Sequence, residues 1–295
     1  MDAALYRRES RVDGERDAVI QSRFCADSVR ANDPDRYLLA MLSPAAMREP
    51  LFALYAFNVE IARTREAVSE PPLGEIRLQW WRDAIAALYA GERLRHGVGD
   101  ALARAIESHR LTRAHFDRLV DARSADLDDT PPDTVAELLR YAEETTVPLL
   151  ALTLELAGDR SPAALDLARS IGVAWSLLGL IRSLPFHLRA RRHYLPRALV
   201  ARHGVRGLRD LKPSGNLNAA VAELAGEIRD RLDRARADRH AASERAVAVR
   251  LQTCLAEIYL RRLSDAGFDP FDPRVAAAPP MVAWRLFLRR LGGLY

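Results

Sequence analysis

The side chains best suited to chemistry in this 295-residue chain are arginines and a few scattered carboxylates. Arg48, Arg182, Arg189 and Arg192 carry guanidinium groups, which can clasp phosphate oxygens through two parallel hydrogen bonds and can equally pair with glutamates on neighbouring helices. Carboxylates one turn apart on a helix face can hold a magnesium ion, which takes hard oxygen ligands in near-octahedral geometry. Asn58, Ala62 and Glu66 have that spacing, as do Gly179, Ser183 and His187, yet only Glu66 supplies a carboxylate. Arg63 and Arg65 put positive charge beside it. Three readings stay open: the helices are scaffold without metal; Glu60, Glu66, Glu143 and Glu144 build a displaced metal site; or arginines bind an anion unaided. His187 has no second histidine or carboxylate next to it in sequence, and the two cysteines, Cys25 and Cys254, form no C-x-x-C. Neither a zinc site nor a disulfide framework is expected, which suits a reducing compartment.

The elements that must position these residues read as helices. Apolar residues recur at helical period along nearly the whole chain, and no alternating strand pattern persists. The fold class expected is all-α, with residues 1–16 as a polar N-terminal arm and 17–295 as one helical domain. Ser43-Pro44 predicts a helix start, with helix to about Ser69, a kink at Pro50 and a stop at Pro71-Pro72. A second helix follows Gly74 and carries Trp80 and Trp81. Further helices are expected from Gly97 to Ser108, from Thr112 (as N-cap) to Ala125, from Asp133 to Ala157 and from Ser161-Pro162 to about Pro185. His187 to Pro196 reads as irregular. Helices from Asn218 to His240 and from Arg245 to Ala266, and a short one after Pro279-Pro280, complete the bundle. Tyr55, Phe57, Trp80, Trp81 and Trp175 are expected in the core.

Composition excludes several classes. The balance of 44 Lys plus Arg against 40 Asp plus Glu leaves a net charge of only +4, and Lys212 is the sole lysine. An arginine bias beside abundant alanine fits genome composition better than nucleic-acid binding. Residues 1–16 contain acids and no apolar h-region, so they read as neither a secretory signal nor a transit peptide. The longest apolar stretch, Ile171 to Ile181, falls short of the roughly 18 residues of a spanning helix. A cytoplasmic chain, soluble or peripheral to a membrane, is expected.

Two stretches carry a family resemblance. Leu42-Ser43-Pro44, Arg48 and Ala53-Leu54-Tyr55-Ala56-Phe57 match one family frame, and Ile171 to Pro196 aligns with a second through Gly172, Ala174, Arg182, Arg189, Arg192 and Tyr194-Leu195-Pro196. With a middle match at Glu137-Leu138 and Tyr141, the chain resembles the squalene/phytoene synthase family over about residues 35 to 210. The resemblance implies a bundle of the isoprenoid (terpenoid) synthase type. Active members hold magnesium on Asp-rich motifs of two facing helices, where it neutralises the diphosphate leaving a prenyl substrate. Here those positions read Ala62-Arg63-Thr64-Arg65-Glu66, and Ser183 and His187 replace two aspartates.

Ala56-Phe57-Asn58-Val59-Glu60, Arg77 to Trp81, Leu127-Asp128-Asp129 and Tyr141-Ala142-Glu143 look like the branch of that family that serves mitochondrial complex I assembly and has likewise lost the motifs. The resemblance therefore implies a pseudoenzyme that assists respiratory complex I assembly or binds a prenyl lipid. No cofactor is implied. The alternative is an active transferase joining two prenyl diphosphates head to head with Mg²⁺. The substrate-site residues the resemblance implies, with no catalytic residue among them, are Arg48, Tyr55, Asn58, Glu66, Tyr141, Arg182, Ser183, Arg189, Arg192 and Tyr194. Asn58, Glu66, Gly179 and Ser183 are expected to line one cavity walled by Ala62, Ala142 and Ala174, with Arg48, Arg182 and Arg192 at a phosphate head group.

Overall fold

The computed structural model describes residues 23–208 and 212–293; the arm expected over residues 1–16 lies outside the described residues. Helix α1 (23–32) is followed at once by α2 (Pro34–Met41), whose first turn is closed by the Asp33 side chain accepting the Arg36 N–H. Asp33 at the cap and Pro34 at the first position are the pairing that a helix N-terminus favours.

The next stretch departs from expectation in three places. Helix α3 (Ala45–Ala62) runs through Pro50 without a break. The carbonyl that loses its partner there belongs to Ala46, which is exposed, so water can satisfy it. Ser43 does not cap α3; its hydroxyl donates back to the Leu39 carbonyl. The chain turns at Arg63 into the short α4 (Thr64–Ala67), and Pro71-Pro72 open α5 (Pro71–Tyr89) instead of only ending what precedes them. Prolines fit there because first-turn amides have no acceptor within the helix.

Helices α6 (Gly99–His109) and α7 (Arg113–Ala122) follow, then a 3-10 turn, Arg123–Leu127. Thr112 precedes α7 as expected but caps nothing with its side chain; its hydroxyl meets Glu155 instead. Two long helices form the centre. In α8 (Val135–Leu156) the Thr134 side chain caps the start, and in α9 (Pro162–Arg182) the Ser161 side chain does the same. The segment expected to be irregular begins with a helix, α10 (Leu184–Arg189), and α11 (Arg197–Arg202) follows it. Helices α12 (Gly215–Ala237), α13 (Val247–Asp265), the short α14 (Pro273–Ala276) and α15 (Val282–Leu291) end the described chain. Among the described residues there is no strand.

Helix α9 packs against α8, α12 and α13, and α8 also packs against α3 and α7. By length and hydropathy α9 would pass for a membrane span, contrary to the sequence expectation, yet most of it is buried inside the bundle. Tyr55, Phe57 and Trp81 are buried as expected, with Phe57 edge-on to Trp81 at 5.2 Å and to Phe116 at 5.3 Å. Trp80 is not in the core: it is 42% exposed, since α5 buries a single stripe through Leu78, Trp81 and Ile85 and Trp80 lies about 100° round the helix from Trp81.

Candidate functional site

Helices α3, α8 and α9 border an open cleft of about 220 Å³, with the α1–α2 junction along its fourth side. Asn58 and Ala62 come from α3, Ser176 and Gly179 from α9, and Tyr141 and Thr145 from α8. Gly179 leaves open space where a side chain would stand, with no atom within 4 Å of its would-be Cβ. The Asn58 side-chain oxygen, Oδ1, is buried there without a hydrogen-bond partner among the described residues.

Three arginines line this cleft: Arg36, Arg63 and Arg123. Asp33 is the one carboxylate among the described lining residues, and it is engaged by Arg36. Arg36 also lies over the Tyr55 ring, 5.9 Å from its centroid, which places Tyr55 beneath the cleft and not in its wall. Arg63 donates to the Asn32 side chain.

Behind the cleft sits a buried polar hub. Asp126, 5% exposed, accepts the Tyr141 hydroxyl at 2.5 Å and the Tyr194 hydroxyl at 2.8 Å, and pairs with Arg123 at 3.2 Å. Burial, reinforced by the Asp126 charge, raises the pKa of both tyrosines, so both remain hydroxyl donors. The two rings stack at 5.1 Å, and His187 stands edge-on to Tyr194 at the same distance. Burial and then the Arg192 guanidinium push His187 down to about 4, leaving it neutral at physiological pH. Tyr141, Arg192 and Tyr194 also line a neighbouring groove of about 370 Å³ beside the loop at Asp128-Asp129.

Of the ten residues expected at a substrate site, Asn58 and Tyr141 line the cleft. Tyr194 and Arg192 face the adjoining groove. Glu66 and Ser183 do not line the cleft, which corrects the expectation of one shared mouth: Glu66 pairs with Arg192, and the Ser183 hydroxyl donates to the Gly179 carbonyl. Nor do Arg48, Arg182 and Arg192 converge on one anion. Arg48 donates to the Ser43 carbonyl at 3.2 Å. Arg182 pairs with Asp35 at 3.2 Å and stacks 3.6 Å over the Tyr259 ring. Arg189 is exposed on α10 and lines neither space. Ala142 and Ala174 are buried in packing and do not wall the cleft.

The described residues do not fit magnesium. Glu60 pairs with Arg77, Glu66 with Arg192, Glu143 with Arg169 at 2.9 Å and Glu144 with Arg118 at 3.0 Å, so each is held by its own arginine. Among the described residues no three His, Cys, Asp or Glu side chains converge where one ion could be shared. The displaced-site reading therefore has no set of ligands.

Sequence reasoning passed over Arg36, Arg123 and Asp126. The only signal for Asp126 was its place just before Leu127-Asp128-Asp129, and that string points equally to Asp128 and Asp129.

The all-α bundle, with its polar cleft between α3 and α9, has the fold of the terpenoid synthase type. The chain belongs to the squalene/phytoene synthase family, whose profile matches residues 29–288. It is 32% identical over 269 residues to the Bos taurus protein named NADH dehydrogenase (ubiquinone) complex I, assembly factor 6, covering 90% of this chain and 81% of that one. The Homo sapiens protein of the same name is 31% identical over 268 residues, covering 90% and 80%. A crystal structure of a dehydrosqualene synthase in complex with ligand superposes with a TM-score of 0.82 at 17% identity, covering 95% of this chain and 98% of that one, a likeness of fold alone.

Proposed function

We propose that this chain is a catalytically silent member of its family that acts in the assembly of respiratory complex I. One observation carries the reading: among the described residues lining the cleft between α3 and α9 no carboxylate is free to hold magnesium, since Asp33 is taken by Arg36, and the arginines there are themselves engaged, Arg63 by Asn32 and Arg123 by Asp126. Departure of diphosphate from a prenyl substrate needs preorganised positive charge at the leaving group, and each such group is worth about 10²-fold or more in rate. Magnesium supplies it only where carboxylates hold the ion. The relatives named for complex I assembly, matched along 90% of the chain, support the assembly role.

The prenyl-lipid reading is favoured by the arginines but not by the space. Three guanidinium groups beside Asn58 suit an anionic head group, while a cleft of about 220 Å³ is below the roughly 300–1,000 Å³ usual for small-molecule pockets.

The test expresses this chain, with a mitochondrial leader, in human cells lacking the human relative. Recovery of assembled complex I on native gels is expected. Purified protein given Mg²⁺ and farnesyl or geranylgeranyl diphosphate is expected to form neither squalene nor phytoene. Robust turnover, or failure to restore complex I with the protein stably expressed, overturns the reading.

A further inference from the structure

Helix α15 turns its apolar stripe to solvent. Met281, Trp284, Phe287, Leu288 and Leu291 are between 37% and 71% exposed, whereas Leu286 is fully buried against the bundle. At the helical step of about 100° per residue, those five fall within an arc of about 120° opposite Leu286. The Trp284 and Phe287 rings stack at 5.8 Å and make the stripe continuous. A contiguous exposed patch of this kind marks an interaction surface, since water contact with so much apolar area is unfavourable.

The charge around the stripe selects its partner. Arg285 and Arg289 flank it on one side and Arg290 on the other. Beside Arg289 opens a pocket of about 550 Å³ between α12, α13 and α15, lined by Arg236, Arg239, His240 and Arg261 among others. Glu257 is the one carboxylate among its described lining residues, and it is taken up by Arg236 at 2.8 Å and Arg289 at 3.7 Å. Among the described residues Arg239 donates to the Arg236 carbonyl, and Arg261 is exposed on α13. The pocket lies at the Leu167 end of α9, whereas Gly179 marks the cleft twelve residues on, about 18 Å along the axis. The two sites are separate.

We infer that α15 and this basic pocket form a docking surface for an anionic phospholipid bilayer. The Trp284, Leu288 and Leu291 side chains enter the boundary between head groups and acyl chains, and Arg239 and Arg261 meet the lipid phosphates. An outward apolar stripe bordered by arginines is the pattern of a helix lying in the plane of a membrane surface. A second copy fits less well, because it would bring like-charged pockets together. The inference goes beyond the proposed function and does not rest on it.

Flotation of the purified chain with vesicles tests it. Vesicles of phosphatidylcholine with phosphatidylglycerol should bind the protein, phosphatidylcholine alone should not, and added salt should release it. Trp284→Ser with Leu288→Ser should weaken binding at least about tenfold. Arg239→Gln with Arg261→Gln should lower affinity for the anionic vesicles by about fivefold per arginine. Unchanged thermal melts would show that these surface variants remain folded. Absence of binding to the anionic vesicles at low salt overturns the proposal. So does binding that survives the Trp284/Leu288 change, or a wild-type dimer that the same change dissociates.

Discussion

Arg192 and Glu66, 126 positions apart in sequence, form an ion pair that ties the segment after α10 to α4. Glu66 is the one carboxylate left at the helix positions suited to metal, and Arg192 is one of the arginines suited to phosphate. Each occupies the other. The Arg192 side chain is 7% exposed and that of Glu66 30%, so the pair sits at the rim with its cation inside.

Removing Glu66 would leave the buried guanidinium without its counter-charge. Glu66→Gln is expected to lower stability by about 1–3 kcal/mol, less than for a fully buried pair because water reaches Glu66. Adding Arg192→Gln should cost less than the two single changes summed, with a coupling of about 1 kcal/mol. A double-mutant cycle by urea denaturation measures this; strictly additive effects would show that the pair contributes nothing.

Asp126 holds three donors from three segments, so its loss orphans them together. Asp126→Ala is expected to cost about 3–5 kcal/mol, since Arg123 is left charged and buried. Tyr141→Phe and Tyr194→Phe remove one donor each and should cost about 1 kcal/mol. Denaturation midpoints at constant slope rank the three. Equal losses for all would mean that Asp126 is not the hub.

His187 makes stability depend on pH. Its pKa is pushed down to about 4 in the folded chain from an ordinary value near 6.5, so between those values the unfolded chain binds the proton more readily. The stabilisation is fully present above about 6.5 and is lost as pH falls toward 4. His96, His115 and His193 are also lowered by burial and add to the same trend. Melting temperatures from pH 7 to 4 should fall, and His187→Gln should reduce the slope. An unchanged slope in that variant would place the effect elsewhere.

Two helical glycines should respond oppositely to alanine. A Cβ at Gly74 would stand 2.4 Å from Leu127 Cδ2, where α5 crosses the 3-10 turn, so Gly74→Ala is expected to cost about 1–3 kcal/mol. At Gly179 nothing lies within 4 Å, and Gly179→Ala should raise stability by about 0.5–1 kcal/mol through helix propensity. Thermal melts decide both. Destabilisation at Gly179 would mean that the cleft is closed in solution.

By itself the sequence determined the helices and the family, because both are written in local spacing. The period of apolar residues, the helix start at Ser161-Pro162, and the frames at Ala53 to Phe57 and Tyr194 to Pro196 need no knowledge of distant partners. It also showed that carboxylates were missing from Ala62 and Ser183. Only the tertiary structure decided what the surviving charges do. Several of these partners lie more than a hundred positions apart, as with Arg182 and Asp35 or Arg192 and Glu66. The prolines misled for the same reason: whether Pro50 breaks α3 depends on whether the Ala46 carbonyl reaches water. Local pattern fixes which backbone groups can bond within a helix, but burial and long-range pairing set where a charge is stable, and those exist only once the helices are packed.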